Sequence, residues 1–140
     1  MEGFNGTVFA YGQTSSGKTH TMTGVIDDPN QRGVIPRMVK HIFEQISSTT
    51  QEIEFSVKVS MIEIYMEKIR DLLNPVKTNL KVHEDKNKGI YIADVTETYV
   101  GEELEVYDIM KLGNENRAIG ATDMNAQSSR SHSCFIITIH

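Results

Sequence analysis

Gly12-Gln13-Thr14-Ser15-Ser16-Gly17-Lys18-Thr19 meets every fixed position of the phosphate-binding pattern GxxxxGK[ST]. Such a loop has glycines at its ends so that the backbone turns tightly and aims several N–H groups at one anion, with no Cβ in the way. Lys18 is then placed to reach β and γ phosphates, and the Thr19 hydroxyl to meet Mg²⁺. A helix starting near Gly17 turns its positive end to the same charge. The flanks supply the context this pattern needs. Phe4-Asn5-Gly6-Thr7-Val8-Phe9-Ala10-Tyr11 predicts a buried strand ending at the first glycine. Lys18-Thr19-His20-Thr21-Met22 predicts one or two helical turns, stopped by Thr23-Gly24. The competing reading of the octapeptide is a Gly/Ser-rich surface turn that binds nothing.

A chain of 140 residues makes one domain or part of one. Its formal net charge of −5 weighs against general affinity for nucleic acid, while leaving room for local basic patches. No apolar run approaches the roughly 20 residues that cross a bilayer, and no signal-peptide pattern opens the chain. The single cysteine, Cys134, has no internal disulfide partner and sits in an apolar run, where it reads as a small buried hydrophobe. That usage fits a reducing compartment and predicts a soluble intracellular protein. Both ends read as cut, since the strand before the loop nearly opens the chain and Phe135-Ile136-Ile137-Thr138-Ile139-His140 stops inside an apolar strand. The sequence is expected to be a fragment.

Between these ends, the cluster Asp27-Asp28-Pro29-Asn30-Gln31-Arg32-Gly33 predicts a turn. Pro36 suits a first helical position, and Val39, Ile42, Phe43 and Ile46 fall on one face of the helix that Ser47-Ser48-Thr49-Thr50 ends. Ile53, Phe55, Val57, Val59 and Met61 alternate with polar residues, which predicts a long strand with one face solvated or partly so. The phase changes at Ile62, Ile64 and Tyr65, where burial of the second face or a bulge is expected. A short helical pattern of Met66, Ile69, Leu72 and Leu73 follows, closed by Asn74-Pro75. Residues 80–100 predict two or three short strands around a long charged loop, His83-Glu84-Asp85-Lys86-Asn87-Lys88-Gly89. Ile90-Tyr91-Ile92-Ala93-Asp94 imitates a metal-holding strand end but reads as a hairpin strand, so Asp94 takes no metal role. After Gly101, the carboxylates Glu102 and Glu103 suit a helix N-terminus, and Val106, Ile109 and Met110 mark its buried stripe, running to about Asn116.

A second polar constellation, Asn125-Ala126-Gln127-Ser128-Ser129-Arg130-Ser131-His132, separates that helix from the last apolar strand. Taken alone it is a polar loop. Beside a phosphate loop it is the candidate second wall of a site, with hydroxyls for Mg²⁺ waters or a γ-phosphate and Arg130 for a carboxylate or phosphate. NAQSSRSH resembles the switch I pattern NxxSSRSH of the kinesin motor head, and GTVFAYGQTSSGKTHTM is similar to the kinesin phosphate strand and loop. IEIYMEKIRDLLNP and VHEDKNKG also resemble kinesin segments, nearest to the conventional heavy chain of the fungal kind. The similarity runs in order through residues 1–140.

The resemblance implies a partial kinesin motor domain over residues 1–140, an incomplete α/β P-loop NTPase head with a mixed central sheet flanked by helices. It implies that Gly12, Gln13, Thr14, Ser15, Ser16, Gly17, Lys18 and Thr19 hold ATP phosphates, with His20 against the adenine. Thr19 and Ser129 would coordinate Mg²⁺. Asn125, Ser128 and Ser129 would sense the γ-phosphate, and Arg130 would pair with a glutamate of switch II. Lys68, His83 and Lys88 would face tubulin, where cations suit an acidic track. The parent would be a microtubule-stimulated ATPase of the cytoplasm and microtubule cytoskeleton, a homodimer through a coiled coil outside this chain. The family's switch II pattern DxxGxE does not occur here, and its strand lies between the phosphate-loop strand and the strand near Cys134. The sheet is therefore expected to have a gap that leaves apolar faces uncovered, and the chain by itself to bind ATP weakly and hydrolyse it negligibly. A P-loop kinase or GTPase shares the loop, although the guanine-reading NKxD pattern is missing. A nucleotide-binding fragment without motor activity is the remaining alternative.

Overall fold

The computed structural model describes residues 2–50, 52–119 and 129–140. They form two units, residues 1–55 and residues 56–140.

In the first unit, α1 (Lys18–Met22) follows the glycine-rich loop and α2 (Val34–Ser48) follows a polar turn. The predicted stop at Thr23-Gly24 is present. Both amides donate to Thr19 O, at 2.9 and 3.0 Å, and Gly24 takes the left-handed conformation (φ +62°) of a residue just past a helix end. Arg32 Nε donates to Ile26 O at 2.7 Å and holds the turn that brings the chain back. Along α2, Val39 is fully buried and Ile42, Phe43 and Ile46 are half-buried, the stripe read from the sequence. Pro36 is the third helical residue rather than the first, still within the turn whose amides lack helical partners.

The predicted strand over residues 4–11 is not part of any ladder, and Phe4, Val8, Phe9 and Tyr11 are exposed. The reason is physical. A strand exists through its neighbours' hydrogen bonds, and among the described residues none pairs with this run.

The second unit is built on β1 (Val57–Tyr65). One edge of β1 pairs along its length with β6 (His132–Ile139), and the other is shared by β5 (Thr98–Val100) and β2 (Lys68–Asp71), all antiparallel. β1 is buried on both faces over residues 59–63, including Ser60 and Glu63, so the phase change at Ile62 marks second-face burial rather than a bulge. The short helix predicted from Met66 to Leu73 is instead a hairpin. Tyr65 pairs with Lys68, and the two-residue turn Met66-Glu67 has φ of +50° and +63°, the left-handed pair of a type I′ turn. Neither residue suits it. Met66→Asn with Glu67→Gly is expected to stabilise the fold by about 1 kcal/mol, read as a higher urea midpoint at unchanged m.

β3 (Val82–Asp85) and β4 (Gly89–Ile92) form a separate two-stranded sheet. Its turn is shorter than the predicted loop, because residues 83–85 belong to the strand. Asp85 Oδ1 accepts the amides of Asn87 (2.8 Å) and Lys88 (3.0 Å), and these bonds hold its carboxyl below the usual carboxylate range. Residues 90–92 are hairpin strand, as read, with Asp94 beyond it at φ +62°.

α3 (Glu103–Ile119) runs one turn past its expected end and packs Val106, Tyr107, Met110 and Gly113 inward. Glu105 Oε2 accepts the Gly101 amide at 2.6 Å, tying off the N-terminus. A Cβ on Gly113 would stand 2.5 Å from Met61 Sδ, so glycine lets α3 close on β1. Two residues further along β1, Glu63 meets Arg117, four residues further along α3. The steps match, about 6.8 Å on the strand and about 6 Å on the helix. Cys134 in β6 is half-buried rather than the fully buried core residue read from the sequence, and that burial pushes its thiol pKa up.

Candidate functional site

The loop at residues 12–19 is shaped by its glycines. A Cβ on Gly12 would meet Ser16 Oγ at 2.7 Å, and Gly17 sits at φ +95° with nothing among the described residues within 4 Å of where its Cβ would be. One glycine thus permits close packing and the other leaves backbone accessible to a ligand. Ser15 is also left-handed, at φ +64°, a conformation that costs a non-glycine residue free energy. The Ser16 amide donates to Gln13 O at 3.2 Å. The helical ladder begins with the Thr21 amide on Gly17 O at 2.9 Å, so it does not use the amides of Lys18, Thr19 and His20.

Lys18 Nζ donates to Gly12 O and, at 3.0 Å, to Gln13 O. Its ammonium therefore folds over the loop's own backbone, in a loop whose hydroxyl residues Thr14, Ser15, Ser16 and Thr19 are all exposed. His20 is exposed in α1. Accessible backbone, one ammonium and several hydroxyls suit a polyphosphate. Among the described residues no group of three or more His, Cys, Asp and Glu could hold a metal. A cation at this site would draw on a hydroxyl and the phosphates themselves, the ligand set Mg²⁺ accepts.

Of the second constellation, Asn125 and Ser128 lie outside the described residues. Ser129 and Arg130 form an exposed helical turn leading to β6 in the second unit. Arg130 and His132 line an open groove with Ile64, Tyr65, Met66 and Glu67 of the β1–β2 turn.

Of the three residues expected on the tubulin-facing side, two lie on the β3–β4 hairpin. His83 and Tyr91 sit across β3 and β4 with ring centroids 5.8 Å apart, and Lys88 Nζ lies 5.6 Å from the Tyr91 centroid. Lys68 is exposed at the start of β2, on the other sheet.

The model of the kinesin motor domain matches residues 1–140. The chain belongs to the kinesin family. A kinesin heavy chain of Syncephalastrum racemosum is 57% identical over 98% of this chain, and one of Caenorhabditis elegans is 55% identical over 99%. A solved fast kinesin superposes with a TM-score of 0.92 and 58% identity, over 97% of this chain and 39% of its own. The α/β kinesin fold is thereby shown for this segment. The chain spans 15% of the length of the Syncephalastrum protein and 17% of the nematode one.

The sequence reading missed one group of residues in this kinesin segment. Glu63, Arg70, Arg117 and Ser131 meet beside the start of β6. The available signal was a charged residue, Glu63, inside the apolar run Met61-Ile62-Glu63-Ile64, on the face that buries Met61.

Proposed function

We propose that the protein containing this segment is an ATP-driven microtubule motor, and that residues 1–140 are part of its motor domain. The observation that carries the proposal is the loop at 12–19, with Lys18 folded over a glycine-shaped backbone, in a chain of the kinesin family. The solved fast kinesin is itself described in terms of ATPase mechanism and interactions with microtubules.

In this reading the loop amides and Lys18 hold the triphosphate, Thr19 and Ser129 supply hydroxyls to its Mg²⁺, and His20 lies against the adenine. When bound, Mg²⁺ would supply neutralisation of the phosphate charge. Asn125, Ser128 and Ser129 approach the γ-phosphate and help orient water, while Arg130 pairs with a carboxylate of switch II. Catalysis is then positioning and electrostatics rather than covalent chemistry by the chain. Loss of the γ-phosphate releases the serine-rich segment, and that change is read at the track-binding side, where Lys68, His83 and Lys88 face acidic tubulin. The whole protein acts in the cytoplasm on microtubules, as a homodimer joined by a coiled coil outside this segment.

The test is nucleotide competition and turnover in a complete head containing these residues. Fluorescent ATP is expected to be displaced by ATP and not by equal GTP, and microtubules to raise turnover. Equal displacement by GTP would favour a GTPase. ATP binding without microtubule stimulation would favour a nucleotide-binding module with no motor activity.

A further inference from the structure

Glu63 of β1 is a buried carboxylate, 1% exposed, that gathers groups from three other parts of the second unit. Arg70 Nη2 of β2 donates to its Oε1 at 2.9 Å. Arg117 Nε of α3 donates to Oε2 at 3.2 Å, and Ser131 Oγ donates to the same oxygen at 3.1 Å. Arg117 Nη2 also donates to Ser131 Oγ at 3.0 Å, so the serine hydroxyl accepts a hydrogen bond from the arginine and donates one to the carboxylate. Arg117 further reaches Ser131 O (3.5 Å) and Ser133 Oγ (3.3 Å). These bonds bring together residues 14 apart in sequence, and Ser131 directly follows Ser129 and Arg130.

The β1–β6 register begins at Ile64 opposite His132, so Ser131 lies one residue before the ladder, where Glu63 and Arg117 hold its hydroxyl. The buried neighbours Val59 and Met61 on the same face of β1 are apolar. A buried ion pair is often no more stabilising than apolar side chains of similar volume, so a network here suits specification of position better than stability. Its other arm, Arg70, lies two residues along β2 from Lys68.

We propose that Glu63 is a positioning residue for the phosphate-sensing segment. Through Ser131 and Arg117 its carboxylate fixes the backbone that carries Ser129 and Arg130, and through Arg70 it ties that backbone to the hairpin bearing Lys68. The inference rests on the motor reading above.

The experiment compares complete heads carrying Glu63→Gln, Asp71→Asn and Lys18→Ala. Asp71 is the control, an equally buried carboxylate that accepts the amides of Leu73, Asn74 and Thr96 and makes no hydrogen bond to Ser131 among the described residues. Glu63→Gln is expected to lower microtubule-stimulated kcat about tenfold to a hundredfold, with affinity for fluorescent ATP changed less than about twofold. Asp71→Asn is expected to lower the melting temperature while leaving kcat per folded head unchanged. If Glu63→Gln does not fold, Ser131→Ala carries the test, since it removes a hydroxyl without leaving a carboxylate behind, and the same selective loss of kcat is expected. Wild-type kcat in Glu63→Gln or Ser131→Ala beside an inactive Lys18→Ala overturns the inference alone, as does an equal loss of kcat in Asp71→Asn. Turnover retained by Lys18→Ala overturns the motor reading and the inference with it.

Discussion

Replacing Lys18 with Ala in a complete head is expected to lower microtubule-stimulated ATP turnover at least about a hundredfold, the scale of losing one group aimed at developing charge. The ammonium is the cation the loop itself supplies, and it lies against the carbonyls of Gly12 and Gln13, where the triphosphate is proposed to bind. The loss concerns charge rather than packing, because the loop is exposed and contributes no core side chain. Melting temperature should therefore barely move. Lys18→Arg is expected to be impaired as well, since a planar fork does not replace a compact point charge in a tight loop. Steady-state turnover and a thermal melt on the same preparations separate loss of chemistry from loss of fold.

Gly24→Ala is expected to have the largest effect on stability in the first unit. A Cβ there would stand 2.1 Å from Gln31 O and 2.7 Å from Gly33 N, both backbone atoms, at a φ of +62° that disfavours L side chains. The combined clash and strain should cost about 3–5 kcal/mol, a large fraction of the roughly 5–15 kcal/mol that holds a domain folded. The damage would reach the site. Thr19 O accepts the amides of both Thr23 and Gly24, so a displaced turn moves the end of the helix that presents the Thr19 hydroxyl. Urea unfolding should show a lower midpoint, with weaker ATP binding alongside. Gly6→Ala is the control, since its Cβ meets nothing within 4 Å among the described residues, and it should be nearly neutral.

What the sequence revealed follows from which signals are local. The stop at Gly24 and the stripe Val39, Ile42, Phe43 and Ile46 depend on residues a few positions apart, and each stands as read, while the glycine-shaped turn at 12–19 is equally local and its phosphate role is the proposal. Errors arose where distant partners decide. Residues 4–11 have strand composition, yet composition cannot supply a neighbouring backbone. Met66, Ile69, Leu72 and Leu73 have helical spacing, but pairing of residues 68–71 with β1 overrides it through a turn with neither glycine nor asparagine. The Glu63 network was hidden for the same reason, because its members are brought together from β1, β2, α3 and the approach to β6. Only the isolated charge in an apolar strand hinted at it.

The most direct measurement is a crystal structure of the complete head with Mg²⁺ and a non-hydrolysable ATP analogue. The account predicts Lys18 Nζ within hydrogen-bond distance, about 3 Å, of a β or γ phosphate oxygen, and Ser129 Oγ within about 3 Å or less of the γ-phosphate or its metal. A triphosphate bound away from residues 12–19, or Ser129 on the far side of the sheet from it, would contradict the account.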